Sequence, residues 1–175
     1  MLVGWTRIGL DSARRALKLG RGMRLDLGGI AKGYIIQEAL ETLRSKGLAR
    51  ALSEAGGDIV VGDAPPGSAG WRIDAPDASP SLKAVLATVT NSAVATSGPR
   101  AQFVVIDGVR YSHVVDPRTG KALTTGVTAR VVAQDGATAD ALATALTVLG
   151  LKKGPALVSR SFSGVRVEVR EVHDE

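Results

Sequence analysis

Hydrophobic and polar residues alternate along several short stretches of the chain, and hydrophobic residues recur at helical spacing along two longer stretches. Alternation with β-branched residues predicts strands, whereas an apolar residue every three to four positions predicts an amphipathic helix. The predicted strands are all short and cover residues 23–27, 50–53, 59–61, 71–74, 85–90, 103–106, 109–113, 127–133 and 164–169. The predicted helices cover residues 29–46, 138–149 and, as a short segment, 155–159.

Turn and cap residues mark the boundaries of these elements. Gly47 stands where the first helix needs a C-terminal cap, and Gly150 ends the second helix in the same way. Thr138 has a side chain that caps helix N-termini. Residues 62–70 are rich in glycine and proline, so we expect an exposed loop there.

The order of the elements indicates the fold class. Asp107-Gly108 supplies the positive φ angles of a tight turn and therefore predicts an antiparallel hairpin. Strands and helices mix without strict alternation, which favours an α+β fold with a mixed, mostly antiparallel sheet and packed helices. The length of 175 residues predicts a single domain over residues 1–175, large enough to bury a core.

Composition and charge exclude several classes of function. The absence of cysteine excludes disulfides, thiolate metal sites and a cysteine nucleophile, and two histidines are too few for a histidine-rich metal cluster. The net charge of +5 suits an anionic ligand such as a phosphate compound. Lysine and arginine form no stripe and aromatic residues are 3%, so no nucleic-acid partner is predicted. A signal peptide and a transmembrane segment are not predicted either.

The first segment with candidate chemistry is the glycine-rich stretch at residues 25–34. A strand is predicted to run into Gly28 and Gly29 and to open a helix, which leaves backbone N–H groups free for an anion. Lys32 adds a positive charge there. The alternative is a glycine-rich turn that serves only packing.

Two further segments carry acids beside turns. Asp58 follows Gly56 and Gly57, where a carboxylate binds a ribose hydroxyl or a base edge, or else caps the turn. Asp140 and Thr144 lie four residues apart and therefore share one helix face. A carboxylate, a hydroxyl and nearby carbonyls suit Mg²⁺. The alternative is that Asp140 serves its own helix dipole and Thr144 bonds back to the carbonyl four residues earlier.

The remaining segment contains one of the two histidines. His113 precedes Asp116 by three residues, and such a histidine can carry a proton or donate to a phosphate. Thr96 and Ser97 occupy a separate polar stretch just before it in the chain. The alternatives are a structural histidine and a simple Pro-Gly turn at residues 116–120.

In order along the chain, five motifs together resemble the ApbE-like FAD:protein FMN transferase family. They are Asp-Leu-Gly-Gly-Ile-Ala-Lys-Gly-Tyr, Gly-Gly-Asp-Ile, Thr-Ser-Gly, His-Val-Val-Asp-Pro-Arg-Thr-Gly and Ala-Asp-Ala-Leu-Ala-Thr-Ala. The resemblance covers about residues 5–150 and implies an ApbE-like, T-fold-related core. Full members of the family are much longer, so we expect a shortened form that lacks the family's N-terminal part.

The resemblance implies a function. Members of the family use Mg²⁺ as cofactor and FAD as substrate, transfer FMN to a threonine hydroxyl of an acceptor protein, and release AMP. The implied partners are therefore FAD and an acceptor protein. Two alternatives stay open: an FAD pyrophosphatase that yields FMN and AMP, and a non-catalytic module that binds flavin or nucleotide. Many members act at the outer face of the bacterial inner membrane, but the compartment and the oligomeric state of this chain are not assigned.

Site residues follow from the same resemblance. Asp140 and Thr144 match the side-chain metal ligands, Ala31 matches a main-chain carbonyl ligand, and His113 matches the histidine that assists transfer. The residues expected to contact FAD lie in or beside the matching motifs. They are Gly29, Lys32, Asp58, Thr96, Ser97 and Asp116.

Overall fold

A five-stranded antiparallel sheet forms the centre of the fold, in a computed structural model that describes residues 4–74, 86–99 and 102–171. The two helices are α1 (Ala31–Ser45) and α2 (Gly136–Ser161). The strands are β1 (Gly9–Asp11), β2 (Ala16–Lys18), β3 (Leu52–Ala55), β4 (Asp58–Val61), β5 (Trp71–Asp74), β6 (Leu86–Val89), β7 (Ser92–Ser97), β8 (Phe103–Ile106), β9 (Val109–Ser112), β10 (Val115–Asp116), β11 (Lys121–Ala122), β12 (Val127–Ala133) and β13 (Arg166–Glu171).

The central sheet has the strand order β13-β12-β7-β4-β3, and every neighbouring pair is antiparallel. Four small two-stranded sheets, β1-β2, β5-β6, β8-β9 and β10-β11, complete the described strands. Both helices pack on one face of the central sheet. The predicted α+β class with a mostly antiparallel sheet is confirmed. A tight turn joins β3 to β4, whereas the other neighbouring strands of the central sheet lie far apart in the chain.

The core follows from the alternation of side chains in the strands. On β12, Val127, Ala129, Val131 and Ala133 are buried, while the residues between them are only partly buried. The small side chains of Ala93 and Ala95 on β7 let α2 lie close to the sheet, because a methyl group takes up little space between the two backbones. The buried residues on the helical side are Ile36, Leu40, Val60, Ala93, Ala95, Ala129, Val131, Ala133, Ala139, Leu142, Ala143, Leu146 and Val158.

Helix α1 confirms the predicted first helix and begins two residues later than expected. It buries Ile36 and Leu40 against the sheet, whereas Ile35 is 62% exposed. Gly47 has φ +82°, and the N–H of Leu48 donates to the carbonyl of Leu43 at 3.0 Å. These features form the predicted glycine cap, because only glycine adopts this φ without strain.

Helix α2 differs from the prediction at its start and at its end. Its N-cap is Asp135, whose carboxylate accepts from the N–H of Thr138 at 2.8 Å, so the prediction of Thr138 as the cap is wrong. Gly150, with φ +75°, breaks the helix where predicted. The helical backbone then resumes and continues to Ser161, beyond the short segment expected at 155–159.

In the described part of the chain, α2 is the one helix that is long and apolar enough to cross a membrane, by length and composition alone. It is kinked at Gly150 and packs Leu142 and Leu146 into the core, as the central helix of a folded domain does.

One predicted strand is wrong, and several observed strands were not predicted. Residues 23–27 are irregular, since they lead into a turn held by the side chain of Asp26 rather than into a sheet. Strand β7 was not predicted, and neither were the short strands β1, β2, β10 and β11. The predicted strand 85–90 appears as β6, and residue 85 lies outside the described residues.

The remaining turns agree with the sequence. Asp107 and Gly108 both have positive φ and close the β8-β9 hairpin, as predicted. The loop at 62–70 is mostly exposed, with buried glycines at both of its ends.

Candidate functional site

The glycine-rich turn before α1 uses several of the N–H groups that the sequence suggested were free. The N–H of Gly28 donates to the Asp26 carboxylate at 2.7 Å, and those of Ile30 and Ala31 donate to the Leu27 carbonyl. Within the described part of the chain, the N–H groups of Gly29 and Lys32 have no hydrogen-bond partner. These two groups therefore remain available to an anion at the positive end of the helix.

The N-termini of α1 and α2 touch at a pair of glycines. A Cβ on Gly33 would lie 2.0 Å from the carbonyl oxygen of Gly136, and a Cβ on Gly136 would lie 2.1 Å from that of Gly33. Each helix also caps the other. The N–H of Gly33 donates to Asp140 Oδ2 at 3.0 Å, and the N–H of Gly136 donates to Gln37 Oε1 at 3.1 Å.

Gln37 was not singled out from the sequence, because a cap between distant helices leaves no local signal. The positive ends of both helix dipoles converge at this contact.

Asp140 is buried, with 4% of its surface exposed, and binds the start of α1 instead of serving only its own helix. Its second oxygen has no hydrogen-bond partner, and no lysine or arginine pairs with it, among the described residues. A buried carboxylate without a cation is unusual, because desolvation of a charge is costly. The negative charge of Asp140 could therefore be balanced by a bound cation.

Thr144 lies one helical turn beyond Asp140 and is packed against the glycine-rich turn. A Cβ on Gly29 would lie 3.2 Å from Thr144 Cγ2. The bond from Thr144 back to the carbonyl four residues earlier is absent from the hydrogen bonds of the described residues. The carbonyl of Thr144 instead accepts from the Thr147 hydroxyl at 2.7 Å, and the Thr144 hydroxyl remains without a partner in the described chain.

Lys32 and Asp58 form an ion pair between α1 and the sheet. Lys32 Nζ lies 2.7 Å from Asp58 Oδ2, and the main-chain N–H of Thr96 donates to Asp58 Oδ1 at 3.4 Å. Burial raises the pKa of Asp58 above its ordinary value, and the nearby charge of Asp140 acts in the same direction. The hydrogen bond and charge of Lys32 oppose this rise, but burial is the larger effect.

His113 lies apart from this cluster, on an exposed position after β9. Its Nδ1 is 3.1 Å from the carbonyl of Gln102. Because a carbonyl only accepts, Nδ1 carries the proton in this arrangement, and in the neutral ring Nε2 is then the unprotonated nitrogen. No hydrogen bond or ion pair of the described residues joins His113 to Asp58, Asp140 or Thr144.

Asp116 is paired within its own turn. The Arg118 guanidinium donates to both of its oxygens, the shortest distance being 2.7 Å, and the Arg118 N–H donates to Oδ1 at 2.8 Å. These bonds lower the pKa of Asp116 below its ordinary value. Arg118 also donates to the Val148 carbonyl of α2 at 3.4 Å, which ties the turn after His113 to the end of the first helical segment.

A sequence model of the ApbE family matches residues 1–168. The chain belongs to the ApbE family. An FAD:protein FMN transferase of Treponema pallidum is 38% identical over 155 residues, which are 82% of this chain and 42% of the relative. An FAD:protein FMN transferase of Rhodobacter capsulatus is 35% identical over 156 residues, 87% of this chain and 29% of the relative.

Solved structures agree with this assignment. The ApbE protein of Thermotoga maritima superposes with a TM-score of 0.82 at 32% identity, over 96% of this chain and 55% of that protein. The flavinyl transferase ApbE of Pseudomonas stutzeri superposes with a TM-score of 0.81 at 28% identity, over 99% of this chain and 53% of that protein. The chain thus spans about half the length of the ApbE structures and less than half that of the two sequence relatives.

The donor set of this ApbE chain fits a hard cation. Among the described residues, no three histidine or acidic side chains converge, so a metal site built from carboxylates alone is not present. The predicted set needs only one carboxylate, Asp140, together with the unpartnered Thr144 hydroxyl and the carbonyl of Ala31, the first residue of α1. Oxygen donors of this kind, around a buried and unpaired negative charge, suit Mg²⁺.

The structure therefore brings most of the predicted residues together. Gly29 contacts Thr144, Lys32 pairs with Asp58, Asp58 binds the backbone of Thr96, and Asp140 binds the helix that Ala31 begins. Ser97 is buried on β7, one residue beyond Thr96. His113 and Asp116 lie on a separate segment, and the roles of all these residues stay predictions.

Proposed function

We propose that this ApbE-family chain transfers FMN from FAD to a threonine hydroxyl of an acceptor protein, with Mg²⁺ as cofactor and AMP as the second product. The observation that carries the proposal is the buried carboxylate of Asp140 beside the hydroxyl of Thr144: among the described residues, no lysine or arginine pairs with the carboxylate and no group bonds to the hydroxyl. The relatives named FAD:protein FMN transferase support the same conclusion, although the chain covers only part of their length.

Mg²⁺ would be held by the side chains of Asp140 and Thr144 and by the carbonyl of Ala31. When bound, it neutralises negative charge on phosphate oxygens, which phosphoryl transfer requires. Asp140 is suited to this role because its Oδ2 is anchored by the N–H of Gly33 at 3.0 Å. The anchored carboxylate keeps one oxygen available without a change of rotamer.

The pyrophosphate of FAD is proposed to lie at the start of α1. Donors for its oxygens are the Lys32 ammonium and the N–H groups of Gly29 and Lys32, which have no hydrogen-bond partner among the described residues. The converging N-termini of α1 and α2 add positive potential at the same place. These groups bind and orient the phosphates, which is most of what an enzyme contributes to this chemistry.

His113 is proposed to receive the proton of the acceptor threonine. With Nδ1–H held by the Gln102 carbonyl, Nε2 is the nitrogen that accepts it. The threonine oxygen forms a bond to the phosphorus of the FMN moiety, and the bond from that phosphorus to the oxygen bridging to AMP breaks. AMP leaves with the bridging oxygen, so atoms and charge balance. Arg118 and Asp116 hold the turn that follows His113.

Hydrolysis is the second candidate, because the exposed side chain of His113 is accessible to water as well as to a protein hydroxyl. In that case FAD gives FMN and AMP, with no flavin on an acceptor. A module that binds FAD without releasing AMP is the third.

One experiment separates these candidates. The chain is incubated with FAD, Mg²⁺ and a threonine-containing acceptor domain, and the products are analysed by mass spectrometry. The proposal predicts one FMN phosphoester on the acceptor for each AMP released. A matched acceptor with valine in place of the threonine serves as the negative control. Free FMN and AMP without a modified acceptor would contradict the transfer, and bound FAD without AMP would contradict catalysis altogether.

A further inference from the structure

Asp58 has no side-chain surface left for a ligand. Only 2% of the residue is exposed, and both of its oxygens are already bound within the protein. Oδ2 accepts from Lys32 Nζ at 2.7 Å, and Oδ1 accepts from the Thr96 N–H at 3.4 Å. A carboxylate that reads a ribose hydroxyl or a base edge needs an accessible oxygen, so this arrangement argues against direct contact with a nucleotide.

The position of Asp58 is fixed by the centre of the fold. It is the first residue of β4, which lies between β7 and β3 in the central sheet. The preceding turn at Gly56 and Gly57 is closed by the Glu54 carboxylate, which accepts from the Gly57 N–H at 2.8 Å. Asp58 therefore presents a negative charge from a rigid support, as a positioning group requires.

Lys32 has the opposite character. Its side chain is 43% exposed and leaves from the first turn of α1. A Cβ on Gly56 would lie 3.7 Å from Lys32 Cδ, so the lysine chain passes along the β3-β4 turn to reach Asp58. An ammonium has three N–H donors, and the hydrogen bond to Asp58 occupies one of them. The exposed remainder of the ammonium is available to an anion.

We propose that Asp58 is a positioning residue, which holds the Lys32 ammonium for the nucleotide pyrophosphate and does not itself contact the nucleotide. The inference rests on the proposed function for the identity of the anion. A free lysine side chain samples many rotamers, so an ion pair to a buried partner reduces the ordering that the anion must impose. Lys32 is the group that touches substrate, and Asp58 acts through it.

The test is a double-mutant cycle on FAD affinity, measured by flavin fluorescence in EDTA so that turnover is not needed. Lys32→Gln is expected to weaken FAD binding by roughly tenfold, because a charge-assisted hydrogen bond to phosphate is lost. Asp58→Asn is expected to weaken it by about threefold or more, since the amide keeps the acceptor for Thr96 but not the pairing with Lys32. The double variant is expected to bind no more weakly than Lys32→Gln alone. Lys32→Arg is expected to restore most of the affinity.

Asp63→Asn is the matched control. Asp63 lies beyond the other end of β4, is exposed, and accepts from Asn91 Nδ2 at 3.1 Å. The same change of charge there should leave FAD affinity unchanged. If Asp58→Asn does not fold by circular dichroism, Asp58→Ser replaces it in the cycle, because its hydroxyl still accepts from Thr96.

The outcomes are distinct. Independent effects that multiply in the double variant would show a direct contact of Asp58 with FAD and would overturn the inference, as would an Asp58→Asn variant with normal affinity. Absence of FAD binding by the unmodified chain would overturn the proposed function, and the inference with it.

Discussion

Two ion pairs in this molecule have the same shortest distance between nitrogen and oxygen, but the pKa values of their acids are shifted in opposite directions. Lys32 and Asp58 approach to 2.7 Å, and so do Arg118 and Asp116. Burial raises the pKa of Asp58 despite its lysine partner, whereas hydrogen bonds from Arg118 lower the pKa of Asp116. The distance between charges is therefore a poor guide to what a pair does.

The difference lies in what each pair connects. Lys32 and Asp58 are 26 residues apart and join α1 to the central sheet, beside Asp140 on α2. Arg118 and Asp116 are two residues apart and shape one turn, which a long bond to Val148 then fastens to α2. The long-range pair belongs to the buried cluster of Lys32, Asp58 and Asp140. The local pair belongs to the mostly exposed segment that carries His113, although Asp116 itself is buried.

The largest effect is expected from Asp140→Asn in the buried cluster. The amide keeps an oxygen for the Gly33 N–H, so the fold should remain, but the charge that balances a cation is lost. Mg²⁺-dependent AMP release from FAD in the presence of the acceptor domain should fall by about a thousandfold, in line with the several kcal/mol that metal ions contribute to such reactions. Chromatographic AMP assays measure this, with circular dichroism as the folding control. Normal AMP release by a folded variant would remove Asp140 from the metal site.

On the exposed segment, His113→Ala should slow transfer to the acceptor by about a hundredfold, the usual contribution of a general base. FAD affinity should be unchanged, because no hydrogen bond of the described residues connects His113 to the buried cluster. Single-turnover transfer rates and flavin fluorescence separate the two quantities. Equal losses in rate and affinity would show that the two regions form one binding site.

A pair of glycine variants compares the packing of the two regions. Gly33→Ala forces a Cβ to 2.0 Å from the Gly136 carbonyl oxygen, so the helices must separate, at a cost of about 3 kcal/mol of unfolding free energy. Gly120→Ala, in the turn of Asp116, meets no atom within 4 Å and suffers only the strain of φ +70°, about 1 kcal/mol. Urea denaturation gives both values. A Gly33→Ala variant as stable as Gly120→Ala would contradict the close contact of the helices.

The smallest effect concerns pH. The pKa of Asp116 is held below its ordinary value of 3.8, so its pairing with Arg118 stabilises the fold fully above that value and is lost as the pH falls through the lowered pKa. Arg118→Gln should return the pKa of Asp116 toward 3.8, with little change in stability at neutral pH. Carboxyl NMR titration follows this residue directly. An unchanged pKa in the variant would show that the turn backbone, and not the guanidinium, sets it.

Elements with a strong local pattern were predictable from the sequence. Strand β12 alternates buried and partly buried residues over its whole length, α1 ends in a glycine cap, and Asp107-Gly108 closes a hairpin. Strand β7 was missed because its serine, alanine and threonine residues carry little hydrophobic signal, although the sheet buries Ala93, Ala95 and Ser97. The false strand at 23–27 shows the reverse error, since its apolar residues precede a turn made by a side chain.

The candidate site shows the same limit. Single residues such as Asp58, His113 and Asp140 could be selected from turns and spacing, and their grouping rested on the family resemblance. The partners in space could not be predicted. The bond from Gly33 to Asp140 spans 107 residues and depends on a contact that only two facing glycines permit. The pairing of Lys32 with Asp58 likewise depends on how α1 sits on the sheet.

The central proposal is that this chain cleaves the pyrophosphate of FAD with Mg²⁺ held by Asp140, Thr144 and the carbonyl of Ala31. The most direct test is AMP release by the unmodified chain, measured with FAD and the threonine-containing acceptor domain in Mg²⁺ and in EDTA. We expect AMP in Mg²⁺, none in EDTA, and recovery when excess Mg²⁺ is restored. AMP release that is equal in EDTA, or no AMP under either condition while FAD remains bound, would contradict it.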